Sequence, residues 1–274
     1  MTHSLISNSF LLAYPLINIL VVIYHGLFLL HIPYPLGFSI IVLTVLIRVI
    51  LYPLTASQLK AAKKMQELSP HLSNLKEKHK NDAKTLQAET MKLYKEHGVN
   101  PAAGCLPLII QLPVIFALYS VLQDIVKFST TEINRVLYSD SIRLTKSWNT
   151  TFFGIPLAQN PSHLITTIGP LVLLIPVLTG VFQLIQSKMM MVKATNLPAI
   201  KTEKKKEDDF ATAFQTQSLY IFPFMIAFFS YNFPIGLSLY WNTFTVFGII
   251  QQYKISGLGG LKDWIDKIYG SKNK

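Results

Sequence analysis

The chain has 274 residues, half of them hydrophobic and only 14% charged, with a formal net charge of +11. A soluble domain carries about 25% charged residues, so this composition argues against an ordinary soluble enzyme. The basic residues cluster in a few polar segments between apolar runs, which favours membrane topology over an RNA-binding domain. The single cysteine, Cys105, excludes an intrachain disulfide.

Residues 1–35 carry no Lys or Arg and no cleavage site, so no removable signal peptide is expected. Within them, residues 10–32 are apolar enough to span a bilayer but are interrupted by Tyr14 and Pro15. Ser7, Tyr14, Asn18 and His25 share one helical face, and that polar stripe favours a helix lying in the membrane interface, with a spanning helix as the alternative.

A bilayer-spanning helix needs about 20 apolar residues. Residues 36–56 form the first such run, and Arg48 sits in its middle with Thr44 and Tyr52 one turn to either side. Residues 57–98 are rich in helix formers and hold nine lysines. Leu59–Leu75 and Ala83–Tyr94 read as the two arms of an antiparallel helical hairpin, with Lys80-Asn81-Asp82 as its turn and Gly98 as a C-cap. The second span is 104–126, followed by a connection over 127–162 with four basic residues. The third span is 163–187. Residues 188–214 follow with six lysines, and Glu203–Asp209 reads as a solvated loop.

Residues 215–253 are broken by the turn signal Asn232-Phe233-Pro234-Ile235-Gly236 into a fourth and a fifth span, each expected to be under about 20 residues and so to thin the bilayer. The tail, 254–274, holds five lysines. Twenty basic residues thus fall on one side of the spans and four on the other. The positive-inside rule makes the first side cytoplasmic, giving an all-α polytopic membrane protein with its N-terminus outside and its C-terminus inside.

Arg48 is the most informative residue, because a mid-membrane arginine costs at least about 2.5–3.5 kcal/mol and must face other helices or water. Other spans carry polar stripes: Gln111, Tyr119 and Gln123; Thr179, Gln183 and Gln186; and Ser238, Trp241 and Thr245 beside Asn242. Asp124, the only acid placed inside a span, lies too far out to pair with Arg48. The expectation is a hydrated interior surface that holds positive charge. There is no GxSxG, HExxH or phosphate-binding glycine loop, and no histidine pair has metal spacing beside a carboxylate. No enzyme activity, cofactor or metal is expected.

Several motifs carry a family resemblance. Arg48 followed by Tyr52-Pro53-Leu54, then Lys64-Met65-Gln66, Met91 to Pro101 (MKLYKEHGVNP), Gly104 to Pro113 (GCLPLIIQLP), Asn232-Phe233-Pro234 and Gly236 to Trp241 (GLSLYW) stand in order. Over about residues 14–253 the chain resembles the YidC, Oxa and Albino family. The likeness implies an insertase of the bacterial plasma membrane, whose five transmembrane helices surround a hydrophilic groove, with a cytoplasmic hairpin and an N-terminal interfacial helix. By that likeness Arg48, Thr44, Gln186 and Trp241 line the groove, joined by Gln111 and Asn242 of the polar stripes. Nascent membrane proteins would be the substrates of a monomer embedded in the lipid bilayer, alone or beside the Sec translocon and the ribosome. A small transporter or channel is the alternative.

Overall fold

The computed structural model describes residues 6–80, 82–99, 113, 116–117, 119–121, 130–145, 147–191 and 206–270. Most of the predicted second span lies outside these residues, as do Gln111, Gln123, Asp124, Cys105 and Asn81. The chain divides into two compact units. The first comprises Met1–Ile50, Ile109–Gln183 and Phe222–Phe247; the second comprises Leu51–Leu108, Leu184–Ile221 and Gly248–Lys274.

The first unit opens with α1 (Ile6–Leu29), which carries Pro15 in its interior. A tight link follows, in which His31 and Tyr34 take positive φ, and α2 (Pro35–Ile50) then begins on a proline suited to a helix start. Asn18 and His25 of the α1 polar stripe face protein. Asn18 donates to the carbonyls of Tyr14 and Val136 and accepts from the Tyr138 amide at 2.7 Å, while a His25 ring nitrogen sits 3.0 Å from the Ile142 carbonyl. Those bonds hold the segment of α6 (Thr130–Arg135) and the 3-10 turn Asp140–Ile142 against α1. A two-residue hairpin loop, Phe153-Gly154, joins β1 (Thr151–Phe152) to β2 (Ile155–Pro156), with Phe152 opposite Ile155. Both loop residues have φ above zero, as a type I′ turn requires.

The predicted third span, 163–187, is regular helix only in part. The short α7 (Pro161–Leu164) leads into a turn at Gly169, whose φ is +94, and a 3-10 turn over Pro170–Leu173 precedes α8 (Leu174–Met189). A left-handed glycine followed by proline stops an α-helix. Pro170–Met189 is the one helix among the described residues long and apolar enough to cross a membrane unaided; Pro35–Ile50 with Tyr52–Lys64 qualifies as a bent pair.

The fourth and fifth runs correspond to α9 (Lys206–Asn232) and α10 (Ile235–Ser256). They are 27 and 22 residues long, though the apolar stretch of α9 among the described residues is Leu219–Asn232. The break between them takes only Phe233 and Pro234, and polar flanks prolong both helices. Lys206–Asp209, read as loop from their charge, form the first turn of α9. The Ile235 and Gly236 amides, left open at the start of α10, donate to the Gln159 and Leu157 carbonyls.

The second unit begins where the first predicted span is cut short. Helix α2 stops at Ile50 and α3 (Tyr52–Glu67) restarts at once, because Pro53 has no N–H to continue the ladder. The predicted helix Leu59–Leu75 is likewise divided at Leu68, since α4 (Ser69–Lys78) carries Pro70 in its first turn. Asp82 caps α5 (Ala83–Glu96) by accepting from the Thr85 amide, and Gly98 follows the C-cap His97 with φ +62. Helices α4 and α5 lie side by side, with the His71 and His97 rings 6.3 Å apart. The last helix, α11 (Leu261–Gly270), is tied to the end of α8. The Gly260 amide donates to the Met191 carbonyl, and Lys188 Nζ lies 4.8 Å from the centre of the Trp264 ring.

Candidate functional site

In the first unit the helices bury polar residues beside an apolar core and leave other apolar residues exposed. On α2, Thr44 and Arg48 are buried while Val42, Val45, Leu46 and Val49 are exposed. On α8, Thr179 and Gln183 are buried and Leu174, Val177, Leu178 and Val181 face out. Ser230 is buried on α9, whereas Phe224, Met225, Phe228 and Phe229 are exposed. In α10, Ser238 and Thr245 are buried. Helix α1 shows the same pattern, with Asn18 inside and Val22, Phe28 and Leu29 outside. In water this arrangement would expose a large apolar surface; in lipid it costs nothing and leaves polar contacts to hold the helices together.

Arg48 is 5% exposed. One of its terminal nitrogens donates to the Phe244 carbonyl at 2.6 Å, and the guanidinium carbon lies 3.3 Å above the Phe244 ring centre and 5.9 Å from that of Phe247. A hydrogen bond to a charged group contributes about 1.5–3 kcal/mol and a desolvated cation–π contact about 2 kcal/mol. No carboxylate pairs with Arg48 among the described residues; the ion pair found there joins surface residues Arg143 and Asp140. Arg48 Nε is buried and has no hydrogen-bond partner among the described residues. The guanidinium is therefore held by a ring and one carbonyl, with donor capacity left over.

Thr44, one turn away, spends its hydroxyl on the Ile40 carbonyl of its own helix. Trp241 Nε1 donates to Gln183 Oε1 at 3.2 Å, linking α10 to α8. Asn242 Oδ1 and Thr245 Oγ1 are buried without partners among the described residues. A chain of hydroxyls crosses three helices: Thr179 Oγ1 to Ser230 Oγ is 3.2 Å, and Ser230 Oγ to Ser238 Oγ is 2.8 Å. Gly180 permits the close approach of α8 to α9, since a Cβ there would stand 3.0 Å from the Ala227 Cβ. Thr44, Arg48, Gln183, Trp241 and Asn242 all belong to this unit. Gln186 belongs to the second unit, as does Tyr52. Sequence reasoning missed Phe244, Phe247 and Ser230. Phe244 offered one signal, its position a helical turn beyond Tyr240 and so on the inward face.

Among the described residues no group of three or more His, Cys, Asp or Glu side chains is placed to hold a metal. A helical unit with exposed apolar faces, buried polar side chains and a guanidinium at its core defines an all-α membrane protein. Comparison with known proteins supports this class and narrows it. Residues 28–258 match the family described as 60Kd inner membrane protein. The chain is 35% identical over 224 residues to the membrane protein insertase YidC of Fusobacterium nucleatum, covering 81% of this chain and 87% of that protein. It is 34% identical over 219 residues to YidC of Streptomyces avermitilis, covering 79% of this chain and 50% of that protein. The chloroplast ALBINO3-like protein 1 of Arabidopsis thaliana is 30% identical over 272 residues, covering 91% and 49%. The chain thus spans most of the first relative and about half of the other two. It belongs to the YidC, Oxa and Albino family of membrane protein insertases, which is not a family of enzymes.

Proposed function

We propose that this protein is a bacterial plasma-membrane insertase in which five transmembrane helices surround a hydrophilic groove centred on Arg48. The observation that supports it most is the buried guanidinium, paired with no carboxylate among the described residues, inside a unit whose exposed surface is rich in apolar side chains. Thr44, Trp241 and Asn242 belong to the proposed groove with Arg48; Gln111 joins the set from its polar stripe, and Gln186 from its stripe and the family resemblance. Residues 57–98 form a cytoplasmic hairpin that receives substrate, and α1 lies in the outer interface with the N-terminus outside and the C-terminus inside.

The hydrophilic tail of a nascent membrane protein enters the groove, so less of it must be stripped of water, while its apolar segment passes sideways into lipid. Arg48 attracts an acidic group in that tail. At 4 Å and an effective dielectric near 20, such a pair is worth about 4 kcal/mol before desolvation. The membrane potential adds about 2.3 kcal/mol per charge per 100 mV, drawing acids toward a positive exterior. Neither contribution uses ATP. The protein acts as a monomer, alone or with the Sec translocon, and its cytoplasmic lysines suit contact with ribosomal RNA.

The test is insertion of a short substrate with an acidic N-terminal tail into liposomes holding only this protein. Insertion is expected from the wild type, a loss of about tenfold or more from Arg48→Ala, and partial activity from Arg48→Lys, which keeps the charge. If Arg48→Ala inserted the acidic-tailed substrate as well as the wild type, the role given to Arg48 would be wrong. Solute flux without insertion would instead indicate a transporter or channel.

A further inference from the structure

The tip of the β1–β2 hairpin presents an aromatic ring to the outside at a cost in backbone strain. Phe153 occupies the first loop position with φ +49, a conformation uncommon for a residue with a bulky side chain, and is 65% exposed. Asn, Asp or Gly would take that position of a type I′ turn readily. Its neighbour is anchored tightly: the Phe152 ring fits against Gly37, where any Cβ would collide with it. Phe152 also meets the Phe38 ring edge-on at 5.3 Å. The hairpin is thereby fixed to the start of α2, and Phe153 stands 5.0 Å from the Tyr34 ring and 6.5 Å from Phe38.

The outward apolar stripe of α2 runs from Val42 through Leu46 to Ile50, and the half-buried Phe38 stands one turn before it on the same face. The exposed ring is therefore the end of a lipid-facing surface. Its level along α2 can be worked out. Phe38 and Arg48 are ten residues apart, which is about 15 Å along an upright helix and half of the roughly 30 Å hydrocarbon layer. With Arg48 near mid-membrane, Phe153 falls at the boundary between hydrocarbon and headgroups, where aromatic rings are enriched. Leu29, 74% exposed at the end of α1, lies just before the link into α2 and extends the same rim.

The geometry points to the Phe153 tip as a lipid anchor: its ring inserts among the outer-leaflet headgroups and holds the loop segment at a fixed depth beside α2. This rests on the membrane reading above, and the test separates the two. In a Cys105→Ser background, single cysteines from Phe153→Cys and Val42→Cys are spin-labelled in phosphatidylcholine vesicles and relaxed by oxygen or by water-soluble nickel–EDDA. Oxygen is expected to relax both labels more strongly than nickel–EDDA, with Val42 reading deeper than Phe153. A Phe153 label relaxed mainly by nickel–EDDA, with Val42 still in hydrocarbon, overturns the anchor alone. A Phe153 label shielded from both reagents means protein covers the tip, and also overturns it. A Val42 label in water overturns the membrane reading itself. Should the Cys105→Ser protein fail to assemble, Phe153→Trp in the natural chain serves instead. Its added emission over wild type is quenched by headgroup-proximal brominated lipid if the anchor is right, and only by aqueous iodide if it is wrong.

Discussion

Phe244 holds Arg48 in two ways that a single substitution can separate. Its carbonyl accepts from the guanidinium through the main chain, and that bond survives any change of side chain. The ring lies 3.3 Å from the guanidinium carbon, and that contact does not survive Phe244→Leu, which keeps most of the apolar bulk. A cation–π contact contributes about 0.5 kcal/mol when exposed and about 2 kcal/mol when desolvated. At about 1.4 kcal/mol per factor of ten, removing it frees the guanidinium for a substrate carboxylate by about 2- to 30-fold. The burial of Arg48 places the expectation toward the upper end. In the liposome assay, Phe244→Leu should lower the half-maximal concentration of an acidic-tailed substrate by that factor. The same substrate with a neutral tail should be unaffected, and so should the comparison made in an Arg48→Ala background. An equal effect on both tails, or one that persists without Arg48, would refute the idea that the ring restrains the charge.

Further outcomes follow from local geometry. A Cβ at Gly37 would stand 2.6 Å from Phe152 Cγ, so Gly37→Ala should cost about 1–3 kcal/mol by overpacking; thermal unfolding in detergent measures it, and Phe152→Ala should recover part of the loss. The hydroxyl and amide of Thr85 hold the Asp82 carboxyl below the usual carboxylate range. A depressed value in the folded chain means the cap's contribution is complete above about pH 4 and fades as pH falls through the lower, folded value. Hydrogen-exchange protection factors at the start of α5 should therefore fall in strong acid, and Asp82→Asn should remove that acid-dependent loss. Gly259 has φ +51 and a built Cβ would meet the Met189 carbonyl; Gly259→Ala should cost more than about 1 kcal/mol and speed tryptic cleavage at the exposed Lys262, whereas an unchanged rate would show that α11 does not depend on this contact.

The inward residues were legible where a polar side chain interrupts an apolar run at helical spacing. Thr44 and Arg48, Thr179 and Gln183, and Ser238 and Thr245 all face the interior of the first unit. What holds Arg48 was not legible. The position of Phe244 one turn beyond Tyr240 hints at an inward face, but its contact with a residue 196 positions earlier is set by packing that no local pattern encodes. The stripe on α1 was visible, but its partners were not, because the Val136 and Ile142 carbonyls and the Tyr138 amide are main-chain groups that leave no mark in a sequence. Helix ends failed where proline acts over a distance. Pro53, Pro70 and Pro170 each divide a run whose side chains look uninterrupted, since the missing amide disrupts a bond four residues upstream. The length of α9 was underread because charge at Lys206–Asp209 suggested solvation, while the backbone there is indifferent to it.

The three hydroxyls joining α8, α9 and α10 have a mechanical consequence. Thr179 donates within its own helix to the Ile175 carbonyl at 2.8 Å, in addition to meeting Ser230. A hydroxyl with a fallback acceptor one turn back can release its neighbour without stranding a polar atom in oil. Interhelical bonds of this type average about 0.6 kcal/mol in membranes, comparable to thermal energy. The seam can therefore part and rejoin repeatedly at little expense, as a latch does and a weld does not.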